Sequence, residues 1–277
     1  MTKYSSYARI AGAVVVALAV TIVLSGCLES RTVVNVGADG SGTVEETFLM
    51  QEQILQMLGS MGGGEGFSLL DRNELESGVS DYGEGVSLQS AQEVKTDWGS
   101  GYRAVYAFED VNQLRVNQNP SDELPSQGAQ MGQEQPRADE YIRFSMTRGR
   151  PNTLEIIMPE QDDVETESPN EPQGNDGTEM GDFPQEEMEG IVQMYRDMRI
   201  SVDVVVDGEI VETNAAHAEG NTVTLLDLNF NKIIERPEVL EQLASRRAET
   251  ITEVQETVNE VPGIKAELKP RVEVQFR

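Results

Sequence analysis

The chain has 277 residues, with 49 Asp and Glu against 21 Lys and Arg, one histidine, one cysteine and a formal net charge of −28. This balance argues against nucleic acid as a partner, because displacing counterions from phosphates takes clustered Lys and Arg, and it disfavours direct electrostatic docking on anionic lipid head groups. One cysteine allows no disulfide within the chain.

The first element is an N-terminal segment in three parts. Lys3 and Arg9 supply positive charge, Ile10 to Leu24 an uninterrupted run of apolar and small residues, and Ser25-Gly26 the small side chains a signal peptidase needs before its cut. The run is too short for a comfortable membrane span, which takes about 20 apolar residues. Leu24-Ser25-Gly26-Cys27 closes it, and the whole resembles the lipobox signal of bacterial lipoproteins. The resemblance implies cleavage between Gly26 and Cys27, diacylation of Cys27, and a mature chain of 277 residues less the first 26, or 251. Losing Lys3 and Arg9 takes the formal charge down by two, from −28 to −30. Two or more acyl chains give stable anchoring without a spanning helix. Leu28 stands where an aspartate would, by resemblance to enteric lipoproteins, favour the inner membrane. The expected location is the outer membrane facing the periplasm if the cell has two membranes, and otherwise the outer face of the plasma membrane. An uncleaved anchor or a buried cysteine is the competing reading of the segment.

Residues 27–277 are expected to form one envelope domain. Arg31 to Val36 and Thr43 to Met50 read as strands around Asp39-Gly40-Ser41-Gly42, a hairpin signal because glycine accepts positive φ. Gln51 to Leu58 and Asp71 to Glu76 read as short helices, separated by a flexible Gly59 to Gly66. Val86 to Asp97 and Tyr102 to Glu109 repeat the strand pattern around Gly99-Ser100-Gly101. Tyr141 to Met146 and Thr153 to Met158 read as two strands joined by a turn at Arg148 to Asn152. They lie between two polar inserts, at about 117–140 and 159–185. The second carries nine carboxylates and no Lys or Arg, and neither buries enough apolar surface to offset the entropy of ordering. The acidity thus has two sources open to it: these disordered inserts, and a surface kept soluble in a salty environment.

Helical spacing follows at Met188, Ile191, Val192, Tyr195 and Met198. Ile200 to Val206, Glu209 to Thr213 and Asn221 to Asn229 read as a meander, with Asp207-Gly208 joining the first two. Ala244, Ala248, Ile251, Val254, Val258 and Val261 predict a long helix starting near Pro237 and stopping before Pro262-Gly263, and Arg271 to Phe276 a last strand. Hairpins with helices on one face predict an α+β fold: mostly antiparallel sheet, its apolar side covered by the long C-terminal helix. The early Asp39-Gly40-Ser41-Gly42-Thr43 hairpin after Cys27, with Val202 to Val206, Asp207-Gly208-Glu209-Ile210-Val211, Thr213-Asn214 and Gly220-Asn221-Thr222-Val223-Thr224, resembles the LppM-type bacterial lipoprotein domain. That resemblance implies a role with envelope lipids.

Catalytic constellations find little to stand on. His217, the one histidine, falls in Ala215 to Gly220, expected to be a solvated hairpin loop. His217-Ala218-Glu219 opens a zinc-deaminase signature, which lacks its cysteine half. Glu45-Glu46 fall on a strand, where neighbours point to opposite faces, and Asp162-Asp163 lie in an insert without fixed geometry. Asn35, Gly37, Asp39, Gly40 and Glu46 match EF-hand spacing, but strand flanks favour a hairpin turn. Trp98 can pack over a turn or sit in a ligand mouth. Met50, Met57, Met61, Met188, Met194 and Met198 suit either helix packing or an adaptable apolar groove. No enzyme, metal or cofactor is expected. The leading expectation is a binding domain with an apolar groove for a lipid or other envelope component. The alternative is a structural or assembly lipoprotein that meets a protein partner through its acidic inserts or a sheet edge.

Overall fold

In the computed structural model the described residues are 28–60, 68–117, 141–159, 195–239 and 257–277. Strand β1 (Leu28–Val36) buries Ser30, Thr32, Val34 and Val36 on one side and exposes Arg31 on the other. It turns at Asp39-Gly40 into β2 (Gly42–Gln51). Gly40 takes φ 83°, a left-handed backbone that glycine adopts without a Cβ clash. Asp39 Oδ1 accepts from the Ser41 hydroxyl at 2.7 Å and the Ser41 N–H at 3.0 Å. These bonds favour the charged form and hold the Asp39 carboxyl below its ordinary pKa.

Helix α1 (Glu52–Leu58) follows β2 directly. Helix α2 (Arg72–Ser77) starts where Asp71 caps the N–H groups of Asn73 and Glu74, and leads into a 3-10 turn over Gly78–Tyr82. Strands β3 (Val86–Lys95) and β4 (Gly99–Phe108) form the second hairpin, but its turn lies at Thr96 to Trp98 and not at the glycines. Gly99 and Gly101 belong to β4. A Cβ on Gly101 would stand 1.9 Å from the Phe48 carbonyl oxygen, so this glycine permits the close approach of β4 to β2.

After a 3-10 turn over Val111–Gln113 come β5 (Arg115–Asn117), β6 (Tyr141–Thr147) and β7 (Asn152–Ile157). The last third of the chain supplies β8 (Arg199–Val206), β9 (Ile210–Thr213), β10 (Ala218–Glu219), β11 (Thr222–Asn229), helix α3 (Phe230–Ile234), β12 (Lys265–Ala266) and β13 (Arg271–Phe276). The larger sheet runs β10-β11-β8-β1-β2-β4-β3, with β12 also against β11; the smaller runs β5-β6-β7-β13-β9. Strands β1 and β8 pair in parallel, Glu29 to Val36 beside Arg199 to Val206. The other pairings among the described residues are antiparallel.

One apolar cluster joins both sheets, with Val34, Val44, Phe48, Tyr106, Val204 and Phe108 from the larger and Ile142, Phe144, Leu154, Ile156, Val274 and Phe276 from the smaller. Fully burying one of these large side chains is worth roughly 1.5–3 kcal/mol. The sheets therefore cover each other, which corrects the expectation of one sheet covered by a helix. The physical reason is the second set of alternating strands, whose own apolar face needs a partner. The described residues are sheet-rich with few helices, in keeping with an α+β class.

Two further expectations change. The meander breaks: β8 pairs with β11, but β9 leaves for the smaller sheet and lies beside β13. Gly208, at φ 136°, makes the departure possible, and Glu209 and Arg277 then exchange backbone bonds of 2.9 and 3.1 Å. Residues 237–239 and 257–259 are helical, while the middle of the expected long helix, 240–256, lies outside the described residues. So do the signal segment through Cys27, nearly all of both inserts and most of the Gly-rich stretch.

Candidate functional site

The larger sheet begins one residue after the cysteine of the lipobox-like motif. Leu28 is already paired with Met50, and Glu29 with Leu49 on one side and Arg199 on the other. Residues from distant parts of the chain meet on this rim. Met50 pairs with Ser100 and Gln51 with Gly99, which places the turn carrying half-buried Trp98 next to the start of β1. That turn is closed by Thr96, whose N–H and hydroxyl both donate to the Gly99 carbonyl, at 2.8 and 3.0 Å.

At the other side of the rim, Arg199 pairs with Asn229 at the end of β11. Its guanidinium makes two bonds to the Asp227 carboxylate, at 3.0 and 3.1 Å, which bind its proton more firmly than usual. Tyr195, 38% exposed, stacks on Phe230 with centroids 5.2 Å apart. The Asp197 N–H donates to Asn231 Oδ1 at 2.8 Å, and the Asn231 amide donates back to Asp197 Oδ1. This clasp holds Asp197 at φ 60° and fixes Tyr195 over α3. A second, smaller apolar cluster sits beside it, formed by Ile233, Val258, Val261 and Ile264.

A buried carboxyl lies deeper in the larger sheet. Glu46 is 6% exposed and faces the interior between Thr32 of β1 and Ala104 of β4. The Tyr82 hydroxyl donates to its Oε1, and the Tyr82 ring stacks on Tyr106 at 4.5 Å. Burial pushes the Glu46 pKa up to about 7, because a low-dielectric surrounding disfavours the charged form. Arg115 holds the turn that carries Tyr82, donating to the carbonyls of Asp81 and Ser80 at 2.8 and 3.0 Å. Glu45 points the opposite way, to Arg103 at 2.5 Å, so Glu45 and Glu46 do not share a face, as strand alternation requires. Asp39, bonded within its turn, does not converge with Glu46 either.

His217 departs from the solvated loop expected of it. It is half-buried, and its Nε2 is buried without a hydrogen-bond partner among the described residues. Its carbonyl accepts from the Thr224 N–H at 2.9 Å. The loop is held by Glu267, 3% exposed, whose Oε2 accepts from the Ala216 N–H at 2.6 Å and Oε1 from the Lys269 N–H at 3.1 Å. Nothing in the alternation around Lys265 to Lys269 marks Glu267 as buried, and sequence reasoning missed it. Of the methionines, Met50 is in the core and Met198 is half-buried beside the rim. The side chain of Met57, and Met61, Met188 and Met194 entirely, lie outside what is described, as do Gly26, Cys27 and Asp162-Asp163. Among the described residues no group of three or more His, Cys, Asp or Glu side chains is placed to hold a metal ion, and no helix is long and apolar enough to cross a membrane.

These features define a two-sheet domain whose first strand adjoins a lipobox-like cysteine. No family model matches the chain, and no curated protein matches it. Among solved structures, the NMR structure of the folded domain of LppM from Mycobacterium tuberculosis aligns over 91% of each chain, at 10% identity and a TM-score of 0.33. A TM-score of that size carries no inference about fold or function.

Proposed function

We propose that this chain is a cell-envelope lipoprotein, held to a membrane by acyl chains on Cys27 and acting by binding without catalysis. The observation that carries the reading is the run Leu24-Ser25-Gly26-Cys27, followed without a linker by a strand paired from Leu28 onward. An acylated cysteine there anchors a folded domain directly at a bilayer surface. The ligand class we assign is a lipid or other apolar envelope component. In its support, the cluster around Ile233, Val258, Val261 and Ile264 is separate from the main core among the described residues and borders the rim on which β1 begins. Native mass spectrometry with lipid extraction, on residues 28 to 277 purified without detergent, tests the ligand. A stoichiometric adduct that extracts into organic solvent supports the reading, and a clean apo mass contradicts it.

A further inference from the structure

We infer that the rim of the larger sheet on which β1 begins is a membrane-contact surface, seated at head-group level with Trp98 and the Tyr195–Phe230 pair against lipid. The inference rests on acylation of Cys27 and goes beyond it, since an anchor alone leaves a domain free to float or lie on any side. Here the tether has no slack. Consecutive Cα atoms are about 3.8 Å apart, and Leu28 is already fixed by its pairing with Met50. Leu28 is therefore held within one Cα step of the anchored residue, and the rim around Leu28 is brought to the bilayer with it.

The residues gathered there suit that position. The chain has one tryptophan, and it lies in the turn next to the Met50 and Ser100 pair. Tyr195 is among the few exposed large hydrophobic side chains of the described residues, and it lies on the same rim, stacked on Phe230. Trp and Tyr favour the membrane interface because each joins an apolar ring to a polar hydrogen-bonding atom. Three cations of the rim are paired, Arg199 with Asp227, Lys95 with Glu93 and Lys232 with Glu235, while Glu52 and Asp97 stay exposed there. These exposed carboxylates limit the rim to head-group depth, since a charge in the hydrocarbon is costly. The Asp39-Gly40 hairpin closes the opposite end of β1, eight residues away, or about 27 Å at a rise of about 3.4 Å per residue, beyond the reach of the head groups if the sheet stands on its rim.

The single tryptophan supplies the test. The full mature chain, its acylation verified by intact mass, is placed in phosphatidylcholine vesicles containing lipid spin-labelled near the head group, and Trp98 fluorescence is read. The double variant Trp98→Phe with Ala38→Trp moves the reporter to the far hairpin, where Ala38 is exposed. Quenching several-fold stronger at Trp98 than at the far hairpin is the expected result. Equal quenching, stronger quenching at the hairpin, or none at either site in an acylated sample overturns the proposal. An unacylated mass overturns the reading beneath it and the proposal together. If the double variant fails to fold, the wild type decides alone: Trp98 loses accessibility to aqueous iodide on vesicle binding if the proposal holds, and unchanged accessibility overturns it.

Discussion

The hydroxyl of Tyr82 donates to Oε1 of Glu46, a carboxyl sealed inside the larger sheet under the 3-10 turn that carries the tyrosine. Burial raises the Glu46 pKa from 4.5 to about 7. The folded state then holds its proton more tightly than the unfolded chain does. This contribution to stability is fully present below about pH 4.5 and is lost as pH rises through 7, a difference on the order of 3 kcal/mol. Glu46→Gln keeps an acceptor for Tyr82 and has no proton to lose. In urea unfolding at pH 5, 6 and 7.5, the variant is expected to gain on the wild type as pH rises; a constant gap would place the titration elsewhere. Comparing the two chains removes the repulsion among the other acids, which also grows with pH.

Gly101 is expected to tolerate no side chain. A Cβ there would meet the Phe48 carbonyl oxygen at 1.9 Å, and backbone cannot swing aside as a side chain can. Gly101→Ala should lower stability by about 2 kcal/mol or more, measured by chemical denaturation. Gly78→Ala, where nothing lies within 4 Å of the added Cβ, should lie within about 0.5 kcal/mol of the wild type.

Glu267 ties the His217 loop to the segment before β13. Glu267→Ala removes the acceptor of the Ala216 and Lys269 N–H groups, both on exposed residues, so the cost is that of an ordinary hydrogen bond, about 0.5–1.5 kcal/mol each. Amide exchange should rise at Ala216 and Lys269 while β1, β2 and β8 stay protected. Unchanged exchange at both amides would mean that water replaces the carboxylate without loss.

How much of this was legible follows from what periodicity encodes. Alternation located the strands well: β6, β7 and β13 begin or end within a residue or so of their apolar patterns, and the short helix expected over Asp71 to Glu76 is α2. Alternation names a strand's two faces but not its neighbour. It therefore missed that β9 joins the smaller sheet, that β8 runs parallel to β1, and that a second sheet covers the first. Gly99 and Gly101 were read as turn residues because a glycine that bends a chain and one that admits a close neighbour look alike in sequence. Glu46 was correctly assigned to the face opposite Glu45, yet its burial depended on Tyr82, 36 residues away. The cysteine motif, read as an address, lies outside the described residues, which begin at Leu28 on the rim of the larger sheet.

The most direct measurement of the central claim is the intact mass of the full chain after expression in a bacterial host and extraction from its membrane fraction, alongside Cys27→Ala. The expected result is a chain that begins at Cys27 and carries a diacylglyceryl mass, with the variant left unacylated. A wild-type chain that keeps residues 1–26, or one that begins at Cys27 with no added mass, would contradict the account.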